Sequence, residues 1–258
     1  MPVALSLEGR AALVTGGSRG IGAAIVRMFV DAGARVLFSY EKAQEQAEKL
    51  CRECGPYCAA EAKSLTSPQA AGELVSACVK KFGRLDILVA NHGIWPPEDA
   101  PIEEMTDQQW ERTVAINLDS VFGLVKHSVA AMKKTAAKVS PGKIVLISST
   151  AGQRGEAFHC DYAATKGALI SMLKGLSTEL ARHHIYVNCV APGWVDTDMA
   201  RPAMDDPMTA KKVLATIPLG RIGMPEEIAG PVLFLCTPMA GFVTGEILNV
   251  NGGAVLVG

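Results

Sequence analysis

The chain has 258 residues, 49% of them hydrophobic, with 25 Lys and Arg against 26 Asp and Glu for a net charge of -1. A chain of this size buries a core without disulfides or metals. Near-neutral charge with no basic stripe argues against a nucleic-acid partner, and no apolar run approaches the ~20 residues of a membrane helix. With seven cysteines and no charged-then-apolar leader, the expectation is a cytoplasmic protein with reduced thiols.

In chain order, short apolar runs alternate with amphipathic segments. The runs predict strands at Ala11–Thr15, Arg35–Ser39, Tyr57–Ala60, Ile87–Ala90, Lys143–Ser148, Tyr186–Ala191 and Ile247–Val250. Helical spacing marks Ala23–Ala32, Ala43–Cys54 and Pro68–Phe82 between them. Strands alternating with helices imply right-handed crossovers and a parallel sheet covered on both faces. The pattern predicts a single α/β domain over residues 1–258, a doubly wound Rossmann fold with a seven-stranded parallel sheet. The Pro-, Asp- and Met-rich stretches Trp95–Asp99 and Val195–Met208 read as loops within it. Cys51, Cys54 and Cys58 cluster, but with no neighbouring His as a fourth ligand they read as ordinary thiols, and no metal site is expected.

The first strand runs into Thr15-Gly16-Gly17-Ser18-Arg19-Gly20-Ile21-Gly22, followed by a helical pattern. Glycines there permit a tight turn and close backbone approach to a pyrophosphate, with the helix N-terminus supplying free N–H groups. A second feature is Tyr162-Ala163-Ala164-Thr165-Lys166, opening a long helix whose apolar stripe includes Leu169 and Leu173. Tyr162 and Lys166 each lie seven residues before one of these and so extend the inward face, where a lysine needs a polar partner or a chemical task. A phenol titrates near pH 10, and a neighbouring ammonium is expected to lower that value until the tyrosine exchanges protons with a carbonyl or alcohol. Ser149 lies thirteen residues before Tyr162, just past the apolar strand Ile144–Ile147. Ligands of open α/β sheets bind at such strand ends.

The T-G-x3-G-x-G turn, the Ser149…Tyr162-x3-Lys166 spacing, Asn91-His92-Gly93, Asn117 and Pro192-Gly193-Trp194-Val195-Asp196-Thr197 occur together in this order. They resemble the short-chain dehydrogenase/reductase family from about Leu7 to Gly253, and most of all its 3-oxoacyl-[acyl-carrier-protein] reductase-like members. The resemblance implies a catalytic set of Asn117, Ser149, Tyr162 and Lys166. Ser149 would hold the substrate oxygen, Ser148 would be structural, and Asn117 would support a proton-relay water near Lys166. It implies cofactor contacts from Gly16, Ser18, Arg19, Gly20, Ile21 and Gly22, from Tyr40, Ser64 and Leu65, and from Asn91 and Gly93. Tyr162, Lys166, Pro192, Gly193, Val195 and Thr197 complete that set.

The same resemblance implies reversible carbonyl reduction by hydride transfer, with an acyl thioester as a candidate substrate and a homotetramer as the assembly. Pro218-Leu219-Gly220-Arg221 and Thr244-Gly245 resemble the family's subunit-contact region. NADP is favoured over NAD, because Tyr40 stands where NAD-preferring members carry an acid, while Arg19 and Lys42 are placed to pair with a 2′-phosphate; Glu41 is the counter-indication. Ser64 replaces a frequent aspartate at the adenine, and His92 replaces a usual alanine, read as a packing change without chemistry. Substrate choice is assigned to Trp95, Gln153, Arg154, His159, Trp194 and a loop over about 194–215. Two further readings are an NAD-dependent alcohol or sugar dehydrogenase and a non-catalytic nucleotide-binding sensor or scaffold.

Overall fold

The structure is a computed structural model and describes residues 5–135 and 140–257. Seven strands, β1 (Ala11–Val14), β2 (Arg35–Tyr40), β3 (Cys58–Ala62), β4 (Ile87–Ala90), β5 (Gly142–Ile147), β6 (Ile185–Pro192) and β7 (Ile247–Val250), fall within two residues of the predicted runs. They pair in the order β3-β2-β1-β4-β5-β6-β7, every pair parallel.

The alternation of side chains along each strand builds two cores. On one face Ala12 and Val14, Val36 and Phe38, Ile87 and Val89, and Val145 and Ile147 meet helices α1 (Gly20–Asp31), α2 (Gln44–Cys54) and α10 (Pro225–Cys236). On the other, Leu13, Leu37, Leu88, Ile144 and Leu146 meet α3 (Pro68–Phe82), α5 (Ser120–Thr135) and α7 (Cys160–Leu180). Fully buried side chains such as Phe29, Phe38 and Leu124 stabilise the fold by about 1.5–3 kcal/mol each.

Chemistry at the helix ends fixes where they begin. Ser67 caps α3 by accepting from the Ala70 N–H at 3.2 Å, with Pro68 at its first turn, and Thr106 caps α4 (Asp107–Val114). Helix α4 passes into α5 through a π-helical segment, Ala115–Asp119, a local widening found frequently at functional sites. Sequence alone reads 194–215 as a loop; the structure folds two short helices into it, α8 (Arg201–Asp205) and α9 (Pro207–Ala215). The Asp206 carboxylate accepts from the Thr209 N–H at 2.9 Å and Pro207 presets the first turn, so a capping signal was present in residues that look like loop composition.

Strands β1 and β4 are neighbours, and the chain leaves them toward opposite sides of the sheet. Open sheets form a crevice at the carboxyl ends of two such strands. Most of the predicted site residues converge there.

Candidate active site

Beyond β1 the chain makes the glycine turn, and α1 begins at Gly20. A Cβ on Gly22 would sit 2.1 Å from the Gly16 carbonyl oxygen, and Gly20 has φ +52°, so neither position admits a side chain at ordinary cost. The first turn of α1 has neither a side-chain cap nor an acidic residue, whereas α3 has the Ser67 cap and α4 has both the Thr106 cap and Asp107. Its free N–H groups and the positive end of the helix dipole face a cavity of about 790 Å³. The cavity runs from Gly16 and Tyr40 past Asn91 and Gly93 to Ser149 and Tyr162. All the residues assigned to the cofactor from the sequence line it, including Ser18, Arg19, Ile21, Ser64, Leu65, Lys166, Pro192, Gly193, Val195 and Thr197. An uncapped helix end over a glycine-rich cradle, opening into this cavity, fits a dinucleotide.

At the far end of the cavity, α6 (Thr150–Arg154) follows β5, and Ser149 is its N-cap, accepting from the Ala151 N–H at 3.1 Å. Ser148 turns the other way and donates to the Lys166 carbonyl at 2.8 Å, joining β5 to α7. Lys166 is buried and its ammonium donates to the Ile147 carbonyl at 2.9 Å, with its Nζ 5.7 Å from the centre of the Tyr162 ring. Burial lowers its pKa to about 8.

Tyr162 does not behave as the sequence suggests. Its phenol is pushed up to about 12, chiefly by burial; hydrogen bonding from Ser149 pulls it down and the charge of Glu156 pushes it further up. Desolvation of the phenolate governs the shift, and the neighbouring ammonium, which gives one of its three N–H groups to the Ile147 carbonyl, does not reverse it. Tyr162 is therefore held as a protonated acid.

Asn117 lies in the π segment and is fully buried, outside the cavity lining. Its amide donates to the Ile94 carbonyl at 2.9 Å and to Thr165 Oγ1 at 3.3 Å, and its Oδ1 accepts from the Ile94 N–H at 2.9 Å. The side chain thus clamps the loop after β4 to α7. A Cβ on Gly93 would meet both Asn117 Oδ1 at 3.2 Å and the Lys166 ammonium at 3.4 Å, a measure of how closely the groups gather.

The end of the cavity lined by Arg19 and Tyr40 carries opposing charges. Arg19 pairs with Asp198 at 3.2 Å, and Arg201 reaches the same carboxylate at 3.0 Å. Tyr40, Glu41 and Lys42 line the wall. The Ser64 hydroxyl, expected at the adenine, instead donates to Glu41 at 2.9 Å.

Among the residues assigned to substrate, Trp95, Arg154 and Trp194 line the cavity and two do not. Gln153 turns to the last strand, its amide donating to Asn249 Oδ1 at 2.6 Å. His159 is buried behind Trp95, whose ring stacks on it at 4.6 Å, and its nitrogens face the Pro96 and Ala157 carbonyls. Trp95 and Trp194 meet edge to face at 6.1 Å. Sequence reasoning missed Glu156 and Asp198, both in the cavity wall. Glu156 is partly buried, and burial raises its pKa. Its one sequence signal is a carboxylate lying within the Ser149–Tyr162 interval.

Away from the site, Cys58 lies beside the thiols of both Cys51 and Cys54, and burial raises the pKa of all three. Among the described residues no group of three His, Cys, Asp or Glu is placed to hold a metal ion, and no helix is long and apolar enough to cross a membrane.

Known proteins extend the comparison. A family model described as enoyl-(acyl carrier protein) reductase matches residues 16–255. The 3-oxoacyl-[acyl-carrier-protein] reductases FabG of Vibrio cholerae and Escherichia coli are 37% and 38% identical over 253 and 257 residues, 98% of this chain and 100% of each relative. The Pseudomonas aeruginosa RhlG/NADP active-site complex superposes with a TM-score of 0.90 at 35% identity, covering 99% of this chain and 100% of that one. A Brucella melitensis short-chain dehydrogenase/reductase described as a glucose/ribitol dehydrogenase gives 0.89 at 34% identity, covering 99% and 100%. The chain therefore belongs to the short-chain dehydrogenase/reductase family and is an oxidoreductase acting on CH–OH or C=O groups.

Proposed function

We propose that this chain is an NADP(H)-dependent carbonyl reductase whose substrate is a 3-oxoacyl thioester. One observation carries the reading: Ser149, Tyr162 and Lys166 meet at one end of a cavity whose other end is an uncapped helix over a glycine cradle. Full-length similarity to 3-oxoacyl-[acyl-carrier-protein] reductases supports the substrate class, and likeness to the NADP complex of RhlG supports the cofactor.

In this reading Gly16–Gly22 cradle the pyrophosphate, Arg19 and Lys42 face the 2′-phosphate, and Tyr40, Ser64 and Leu65 flank the adenosine. Asn91, Gly93, Pro192, Gly193, Val195 and Thr197 position the nicotinamide. The nicotinamide supplies the hydride when bound. Ser149 hydrogen-bonds the substrate oxygen, and Tyr162, kept protonated by burial, donates its proton to that oxygen as the alcohol forms. The Lys166 ammonium stabilises the phenolate that Tyr162 leaves behind. Asn117 holds the loop that carries Gly93. Trp95, Arg154 and Trp194 shape the substrate end. A cytoplasmic homotetramer is part of the proposal, resting on family likeness, and sedimentation tests its assembly.

A second reading, an NAD-linked alcohol or sugar dehydrogenase, draws support from the Glu41 carboxylate that Ser64 holds at the adenosine end. Fluorescence titration with NADPH and NADH, joined to a rate panel of acetoacetyl-coenzyme A, simple ketones and sugar alcohols, separates the two. Tighter NADPH binding and thioester reduction are expected. Equal or tighter NADH binding with turnover of polyols only would overturn the proposal.

A further inference from the structure

Successive residues of the loop after β4 take hold of two different elements. Asn91 donates through its side chain to the Thr15 and Gly16 carbonyls at 2.9 and 3.2 Å, on the glycine turn. Ile94 is clamped by Asn117, on the π segment. His92, between them, touches both. Its Nδ1 lies 2.8 Å from Thr15 Oγ1, and its Nε2 lies 2.7 Å from Ser120 Oγ and 3.1 Å from the Ile116 carbonyl.

Hydrogen-bond accounting fixes the direction of this chain. Thr15 Oγ1 already accepts from the Asn91 and His92 N–H groups at 3.0 and 3.2 Å, so its own proton points to Nδ1, closer than the Val89 carbonyl at 3.4 Å. Ser120 donates to the Ile116 carbonyl at 2.7 Å, leaving its lone pairs for Nε2–H. The imidazole is thus neutral, accepting at Nδ1 and donating at Nε2. Burial, with the Lys166 charge second, pushes its pKa down to about 4, so this state holds through the neutral range.

We propose that His92 is a positioning residue that couples the cofactor seat to the π segment bearing Asn117, through the chain Thr15–His92–Ser120. An alanine, with neither ring nitrogen, removes the Thr15–His92–Ser120 chain and leaves only the separate holds of Asn91 on the turn and of Asn117 on Ile94. The segment 115–119 then loses its direct side-chain tie to the turn, and Asn117, still bonded to Ile94 and Thr165, loses one restraint on its distance from Gly93 and Lys166. Misplacements of about 1 Å near a reacting centre cost on the order of 100-fold in rate.

The test uses full-length protein and three variants: His92→Ala, His92→Asn, which keeps an acceptor toward Thr15, and His92→Gln, which keeps a donor toward Ser120. Hydrogen–deuterium exchange is followed with and without NADPH. In the parent protein, NADPH is expected to slow exchange both in the glycine turn and, by about tenfold, at residues 115–119. His92→Ala should keep the first protection and lose the second, with kcat on acetoacetyl-coenzyme A falling by about 10–100-fold and NADPH affinity little changed. The Asn and Gln variants should each recover part of the coupling. Protection of 115–119 that survives in His92→Ala would overturn the proposal, as would exchange that rises uniformly with lost thermal stability in all three. The exchange measurement needs no turnover, so a parent enzyme inactive on the thioester counts against the substrate reading and not against His92.

Discussion

Two lysines in this fold have their pKa lowered to about 8 by burial, and they stand at opposite ends of the same sheet. Lys166 meets the carboxyl end of β5 at the Ile147 carbonyl; Lys143 sits near the amino end of β5, donating to the Ala240 carbonyl at 3.0 Å with its ammonium 4.6 Å from the Tyr186 ring. A fall from 10.5 to about 8 means that burial opposes each charge by about 3 kcal/mol. Because the folded value lies below the unfolded one, the unfolded chain binds more protons between pH about 8 and 10.5. Stability should therefore rise with pH through that window, and the penalty is fully present below it. Catalysis separates the two residues. In the proposed reduction Tyr162, held near 12, stays protonated from pH 6 to 10, so the titrating group is the Lys166 ammonium proposed to stabilise the phenolate left by proton transfer. The kcat for carbonyl reduction should be flat below pH about 8 and fall about tenfold per pH unit above it. Lys166→Met should remove this limb and lower the plateau by about 10²–10⁴. Lys143→Met should keep the limb while raising stability by about 1–2 kcal/mol at neutral pH, after about 1 kcal/mol for the lost hydrogen bond. Initial rates of NADPH oxidation from pH 6 to 10, with chemical denaturation of the same samples, measure both. A flat profile in the parent enzyme, or a limb that survives in Lys166→Met, would refute the assignment.

Three further outcomes follow from the geometry. Tyr162→Phe should lower turnover by about 10²–10⁴ while leaving cofactor affinity nearly unchanged, read by steady-state kinetics beside fluorescence titration. Gly22→Ala places a methyl group 2.1 Å from the Gly16 carbonyl, so it should cost about 1–3 kcal/mol of stability and abolish tight NADPH binding. Asp198→Asn frees Arg19 from an exposed ion pair worth at most about 1 kcal/mol, so NADPH should bind up to about fivefold tighter and NADH unchanged. Equal shifts for both nucleotides would place the effect in the loop and not at the 2′-phosphate.

The sheet was readable because doubly covered parallel strands are apolar throughout, and Ile87–Ala90 or Ile144–Ile147 admits no other reading. Helix α8 escaped because it is five residues long with no side-chain cap, and α9 because its signal is a cap rather than periodicity: Asp206 and Pro207 look like loop residues until Thr209 supplies the bonded N–H. The residues expected at the cofactor follow backbone motifs, whose glycines leave little freedom, and every one of them lines the cavity. Those expected at the substrate depend on where individual side chains turn. Gln153 and Arg154 are adjacent, yet one bonds Asn249 and the other faces the cavity. His159 is one turn before Tyr162 and is shielded by Trp95. No spacing rule distinguishes these cases.

Ionisation was the least legible layer, for a reason visible at Tyr162 and Lys166. The Y-x3-K spacing brings the two side chains together, and proximity alone argues for a lowered phenol. Proximity is only one of the competing effects. The other is loss of water, which depends on everything packed around the pair and raises the phenol while lowering the amine. The result is a tyrosine protonated across the neutral range beside an ammonium that titrates within reach of it. Sequence identifies the two partners; the enclosing fold sets which way each pKa moves.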